Sequence, residues 1–351
     1  MKLIFKFSVL LLLVLTGCKR DKVDSIGPGY VSVPANFEAI SFTASTTTVD
    51  FTTDSVLFNG TLSDNVTWKI TITGQTSGAV REISGTSSSF SNVVWNGNHS
   101  AVYFFRPGET AVATLSFYGT DITLSIPITI SKARNFSTYG KLLPWGDFEN
   151  PAKINDANNW HGFNNPPIPN ESQGVDSMAI DYNGNLVSSV QGKYYYYIKG
   201  LGNQPAFVSG ISFDKGPGKG MFTTPLPATP DDIWVNIYIY GTGDANAQVD
   251  VEYKESDAGG KKNGYQDTDD DSFVQHITLK HKGWQLFSFK YNQMVPSTNI
   301  GIGDRGNKLY EPEKLMIFDI VLLKKSNPDS PVELYFDFPF ITVGHPFNPS
   351  K

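Results

Sequence analysis

Residues 66–73, VTWKITIT, place Val66, Trp68, Ile70 and Ile72 on one side of the chain and Thr67, Lys69, Thr71 and Thr73 on the other. A period of two, apolar against polar, is the pattern of a strand buried on one face. AVYFF, AVATLSFYG and DITLSIPITIS continue it at close spacing, with turn residues between them. No helical period intervenes, so residues 31–133 are expected to form a small antiparallel sandwich. Past a polar linker at 134–141 the runs lengthen and fill with aromatic residues, at 194–200, 206–214, 232–241, 248–255, 283–291, 315–325 and 332–343. The spacing predicts an all-β chain whose second part, 142–351, is a larger jelly roll of two packed sheets.

Phase within these runs assigns faces. In WVNIYIYG, Val235, Ile237 and Ile239 take the core side, which turns Asn236, Tyr238 and Tyr240 to the other. In YYYYI, Ile198 sets the core side and leaves Tyr195 and Tyr197 opposite. In LYFDFPF, the core side is expected to hold Leu334, Phe336, Phe338 and Phe340, with Asp337 opposite beside Tyr335 and Pro339. In GDFEN, read as a strand, Phe148 points one way while Asp147 and Glu149 share the other face.

Aromatic residues make up 13% of the chain and charged residues only 18%. That balance fits β-sandwiches, platforms that stack sugar rings, or both. The 28 lysines and arginines against 34 acids give a net charge of −6, which disfavours nucleic acid as a partner. Sugar recognition needs exposed rings beside amide, carboxylate or guanidinium groups. On that ground the candidate ligand-binding residues are Trp160 and His161 in the polar loop NNWHGFNN, Tyr195, Tyr197, Asn236, Tyr238 and Tyr240 on one sheet face, and Arg305 in GDRGNKLY.

Catalytic patterns are missing. DTDDDSF spaces Asp267, Asp269 and Asp271 like the start of an EF-hand loop, but Ser272 and Thr278 stand where glycine and glutamate belong, so it reads as a solvated hairpin loop. His276 and His281 have no recognised metal spacing, and neither a nucleophile elbow nor a phosphate loop occurs. A non-enzymatic role is expected.

The first residues read as export machinery. Lys2 and Lys6 precede a mostly apolar stretch from Ile4 to Leu15, too short to span a bilayer, so 1–17 is expected to be a removed signal peptide. Leu15-Thr16-Gly17-Cys18 resembles the lipobox of bacterial lipoproteins, which implies a lipid on Cys18 and a tether over 18–30. Cys18 is the chain's one cysteine, so an internal disulfide is excluded.

VVWNGNHS followed by FFRPGE resembles a hairpin of bacterial immunoglobulin-like modules, with Trp95 and Arg106 as packing residues. GDFEN, the strand opened by Gly283-Trp284, and the closing YFDFPFI resemble the galactose-binding-like jelly rolls used as carbohydrate-binding modules. Together the layout resembles a surface glycan-binding lipoprotein of Bacteroidota polysaccharide-utilisation systems. The resemblance implies an outer-membrane anchor, capture of a poly- or oligosaccharide, and a TonB-dependent importer as partner. It also brings the first and last strands of the jelly roll together, so that Asp147, Glu149 and Asp337 hold a structural Ca²⁺. A sandwich-fold glycoside hydrolase or polysaccharide lyase, and an adhesin for protein, remain the alternatives.

Overall fold

A computed structural model describes residues 29–136, 139–153, 160–163 (backbone only), 172–201, 207–214, 221–256, 270–297, 306–326 and 330–351. Among them the regular elements are strands and short 3-10 turns. The alternating runs of the first third form β1 (Ala39–Ala44), β2 (Thr48–Asp50), β3 (Val56–Gly74), β4 (Val80–Trp95), β5 (Thr110–Phe117) and β6 (Thr123–Lys132). They join in the order β1-β3-β5-β6-β2, with β4 also on β3. The first half of β3 pairs with β1 and the end of β4. After a register shift between Thr61 and Val66, its second half pairs with the start of β4 and with β5. The alternation predicted at 66–73 is thus realised: Val66, Trp68, Ile70 and Ile72 enter one core with Phe58, Trp95 and Leu115. Each aliphatic side chain buried there contributes about 1.5–3 kcal/mol before entropy is set against it.

The remaining strands are β7 (Gly140–Leu142), β8 (Trp160–Phe163), β9 (Ser172–Asp176), β10 (Met178–Ile180), β11 (Leu186–Ser188), β12 (Tyr195–Gly200), β13 (Phe207–Asp214), β14 (Ile233–Thr242), β15 (Ala247–Glu255), β16 (Asp271–Thr278), β17 (Lys282–Lys290), β18 (Val295–Pro296), β19 (Leu315–Lys324) and β20 (Val332–Val343). One sheet runs β17-β14-β20-β12-β9 with β7 on β20, a second runs β18-β16-β15-β19-β13-β8, and β10 and β11 form a hairpin. Between the sheets lies a core that includes Ile198, Val235, Ile237, Ile239, Val249, Val251, Phe318, Ile320, Leu334 and Phe336. The expected sandwich of two sheets is present.

The outer face of the first sheet departs from expectation. Tyr195, Tyr238, Tyr240, Trp284 and Tyr335 do turn away from the core, but they form a further apolar cluster with Val187 and Val190 near the hairpin, Phe104 and Phe136 from the N-terminal part, and Phe347. The polar atoms of Tyr195, Tyr240, Trp284 and Tyr335 are bonded within the protein. Tyr195 Oη accepts from the Ala179 amide at 2.6 Å, Tyr240 Oη donates to Asp181 Oδ2 at 3.2 Å, and Trp284 Nε1 donates to the Ser188 carbonyl at 2.8 Å. Asn236, wholly buried, accepts from the Phe347 amide and donates to the Phe340 carbonyl. A face read as open is an internal seam.

Two local readings are also corrected. GDFEN is a turn instead of a strand: Trp145 and Phe148 adopt left-handed φ values of 62° and 56°, and Phe148 alone plugs into the core. In β20, Phe338 takes φ 50° where the β14–β20 register shifts. The bulge carries Phe338 and Phe340 to the seam instead of the core, because an inserted residue reverses the alternation beyond it.

Candidate functional site

The outer face of the second sheet has a different character. In QVDVEYKE, Val249, Val251 and Tyr253 fill the core, so Gln248, Asp250, Glu252 and Lys254 face outward. Register extends this into rows across the sheet. Val274, Glu252, Asp319 and Ser212 stand opposite one another in turn, and His276, Asp250 and Val321 form the next row. Asp250, Glu252 and Asp319 are buried, exposing only 4%, 4% and 3% of their surface, although their side chains are acidic.

These groups form a network. Lys254 Nζ lies 2.6 Å from Asp319 Oδ2. Asp250 Oδ1 receives Gln248 Nε2 at 2.8 Å and His276 Nδ1 at 2.7 Å. Asp319 Oδ1 is buried and has no hydrogen-bond partner among the described residues. An unpaired buried carboxylate oxygen costs roughly 1–3 kcal/mol or more, so this atom is an acceptor awaiting a donor. The cue in the sequence was small but present: a lone aspartate in the apolar run LMIFDIVLL, and acids alternating with valines in QVDVEYKE.

Asp147, Glu149 and Asp337 do lie in one neighbourhood. Glu149 Oε1 accepts from the amides of Lys193 and Tyr194, at 2.6 and 2.9 Å, and Asp337 Oδ2 accepts from those of Val190 and Gln191, both at 2.9 Å. The loop closes this tightly because Gly192 has φ 58°, and a Cβ there would sit 2.2 Å from Glu149 Oε1. Burial raises all three carboxyls above their ordinary values, and Glu149 and Asp147 reinforce the effect through their charges. Asp337 Oδ1 and Gln191 Oε1 are buried without hydrogen-bond partners among the described residues. A hard cation fits such oxygens. The donor atoms converge less tightly here than at Glu255, Asp271 and Glu311, whose carboxylate oxygens lie within 4.8 Å of one another.

Of the other candidates, Tyr197 is half-buried at the seam. Trp160 and His161 lie in β8, where His161 pairs in register with Ser212, but their side chains are outside the described residues. Arg305 and Cys18 also lie outside them.

No family model matches this chain, and no curated protein does. Solved structures do. The family 11 carbohydrate-binding module of the cellulosomal cellulase Lic26A-Cel5E of Clostridium thermocellum is 11% identical with a TM-score of 0.36, over 59% of this chain and 95% of that one. The same family's module in complex with a β-1,3-1,4-mixed-linked tetrasaccharide is 13% identical with a TM-score of 0.35, over 58% and 95%. A carbohydrate-binding module of the β-sandwich superfamily is 12% identical with a TM-score of 0.33, over 90% and 99%.

Proposed function

We propose that this protein binds a glycan along the outer face of the second sheet, without cleaving it. The observation that carries this reading is Asp319 Oδ1, a buried acceptor without a donor among the described residues, on the polar outer face of that sheet. A sugar hydroxyl supplies the missing donor. Asp250, Glu252 and Ser212 accept further hydroxyls, while Val274 and Val321 offer apolar ground to the sugar's C–H groups. The face has Asp250, Glu252 and Asp319 against Lys254, which is already paired with Asp319. A glycan without acidic groups is therefore its ligand, because carboxylate or sulfate groups meet like charge there.

Affinity electrophoresis of the soluble chain against neutral and acidic polysaccharides tests the reading. Retardation by a neutral polymer is expected, weakened in Asp319→Asn. Retardation by acidic polymers alone removes the ligand class, and binding to none removes the glycan reading in favour of an adhesin for protein. A second reading has one observation behind it: Glu252 and Asp319 stand opposite on neighbouring strands, and paired carboxylates perform glycoside hydrolysis. Release of sugar from the bound polymer, ended by Glu252→Gln, would establish that enzyme instead.

Two attributes belong to the same proposal. Lipidation of Cys18 places the protein at the outer membrane, where it delivers glycan to an importer of the TonB-dependent kind. Cys18→Ala then moves it out of the membrane fraction. Ca²⁺ held by Asp147, Glu149 and Asp337 ties the 190–194 loop to the turn after β7. With the ion at 100 times its Kd the folded state gains about 2.7 kcal/mol, and chelation lowers the melting temperature.

A further inference from the structure

At one end of the sandwich the inner face of the second sheet stops being apolar. Glu255, at the end of β15, is the register partner of Asp271, at the start of β16, and Glu311 arrives from the segment before β19. Glu255 and Asp271 expose only 2% and 4% of their surface. The chain from 306 to 311 is wrapped around these acids. The amides of Asn307 and Lys308 donate to Asp271 Oδ2 and Oδ1 at 3.0 and 2.9 Å, and the amide of Glu311 donates to Glu255 Oε1 at 2.9 Å. Gly306 has φ 55°, and a Cβ there would stand 2.2 Å from Asp271 Oδ1. Asn307 Nδ2 and Lys314 Nζ fix the Glu311 carboxylate at 2.8 and 2.6 Å.

A second, separate observation is what these contacts leave over. Glu255 Oε2 is buried without a hydrogen-bond partner among the described residues, and so is the hydroxyl of Tyr291, a residue with no exposed surface. That hydroxyl lies beside the Glu255 carboxylate.

We propose that Glu255, Asp271 and Glu311 form a divalent-cation site, distinct from the one at Asp147, Glu149 and Asp337, that takes Ca²⁺ and pins the 306–311 segment to the end of the second sheet. The geometry suits this ion. Carboxylate oxygens that all lie within 4.8 Å of one another can be reached by one cation, and a site built of protein oxygens favours Ca²⁺ over Mg²⁺, which keeps several of its waters.

The test uses the full chain, stripped with a chelator and titrated with Tb³⁺ while luminescence is excited through tyrosine. Tyr291 stacks on Tyr253 at 3.8 Å, so a lanthanide at this site has sensitisers beside it. Expected is tyrosine-sensitised emission that Ca²⁺ competes away, that survives in Asp337→Asn, and that loses at least tenfold in apparent affinity in Glu255→Gln. Emission of unchanged affinity in Glu255→Gln, or emission lost in Asp337→Asn alone, overturns the site. Native mass spectrometry at millimolar Ca²⁺ gives a readout that does not depend on Glu255→Gln folding. An ion retained by Asp337→Asn supports the proposal, and an ion-free chain overturns it.

Discussion

Tyr238 on β14 and Glu252 on β15 occupy equivalent positions, each one residue out of phase with the shared core. Tyr238 meets Phe104 at 5.7 Å between ring centroids, inside a seam that includes Phe136, Phe338 and Phe347. Glu252 meets Asp319 across the strands, on a face whose described side chains include no such rings. One outer face joins the N-terminal strands to the sandwich, and the other carries acids, among them Asp319, whose Oδ1 is buried without a hydrogen-bond partner among the described residues. The comparison teaches that aromatic wealth on a sheet face is as much a sign of an internal seam as of a sugar platform. Rings bury large apolar areas wherever they are covered, so a covered and an open aromatic face look alike in the sequence.

The most severe way to break this comparison is to remove a seam ring. Tyr238→Ala should cost about 3–5 kcal/mol, read from the shift in denaturant midpoint, while the folded fraction keeps its glycan affinity. A variant of normal stability that has lost affinity would return the aromatic face to the role of binding site.

A change of pH loads the same seam through His99. Its ring packs 4.2 Å from Phe104, and burial pulls its pKa down to about 4 from 6.5. The folded state therefore holds it neutral. This contribution is present above pH 6.5 and lost as pH falls toward 4, at about 1.4 kcal/mol per unit separating the two values. Denaturation of wild type and His99→Gln between pH 7 and 4 should show a steeper loss in wild type. Parallel curves would detach His99 from the seam.

On the polar face, Asp319→Asn should weaken glycan binding about tenfold, since a hydrogen bond to a charged group contributes about 1.5–3 kcal/mol. Calorimetry that finds wild-type affinity would move the ligand elsewhere. The smallest effect is expected at Tyr197, half-buried at the rim of the seam: Tyr197→Ala should lower stability by about 1 kcal/mol and leave affinity alone. A large loss of affinity there would mean that ligand reaches the seam.

Much of the fold was legible because it is periodic. Val66 to Ile72, and Val235 to Ile239, occupy the faces their alternation demands, and the two-sheet architecture follows from runs of that kind. What failed has identifiable causes. Alternation separates two faces of a strand but is silent on what lies over each. Phe104 and Phe136 reach Tyr238 from about a hundred or more positions upstream, so the cover is a matter of tertiary pairing. Phe338 and Phe148 carry left-handed backbone on bulky residues, which no propensity anticipates. DTDDDSF looked solvated because its acids are consecutive, yet Asp271 is buried beside Glu255 and Glu311, partners 16 and 40 positions away. The acids of the polar face were visible as polar interruptions of apolar strands. They went unread because rings drew the attention.

The seam also separates reach from aim. Beyond the packed rings, Arg106 Nη2 donates to the Ser189 carbonyl, Asn98 Nδ2 to that of Ser350, and the Phe104 amide to that of Val190, at 3.1, 2.7 and 3.0 Å. Fastened so, the N-terminal strands leave no swivel behind the sandwich, and the polar face keeps a fixed bearing on the opposite side from its mount. A polymer strand settling there has no floppy joint to freeze, a cost that otherwise subtracts from affinity. Which way the protein looks is decided by Phe104.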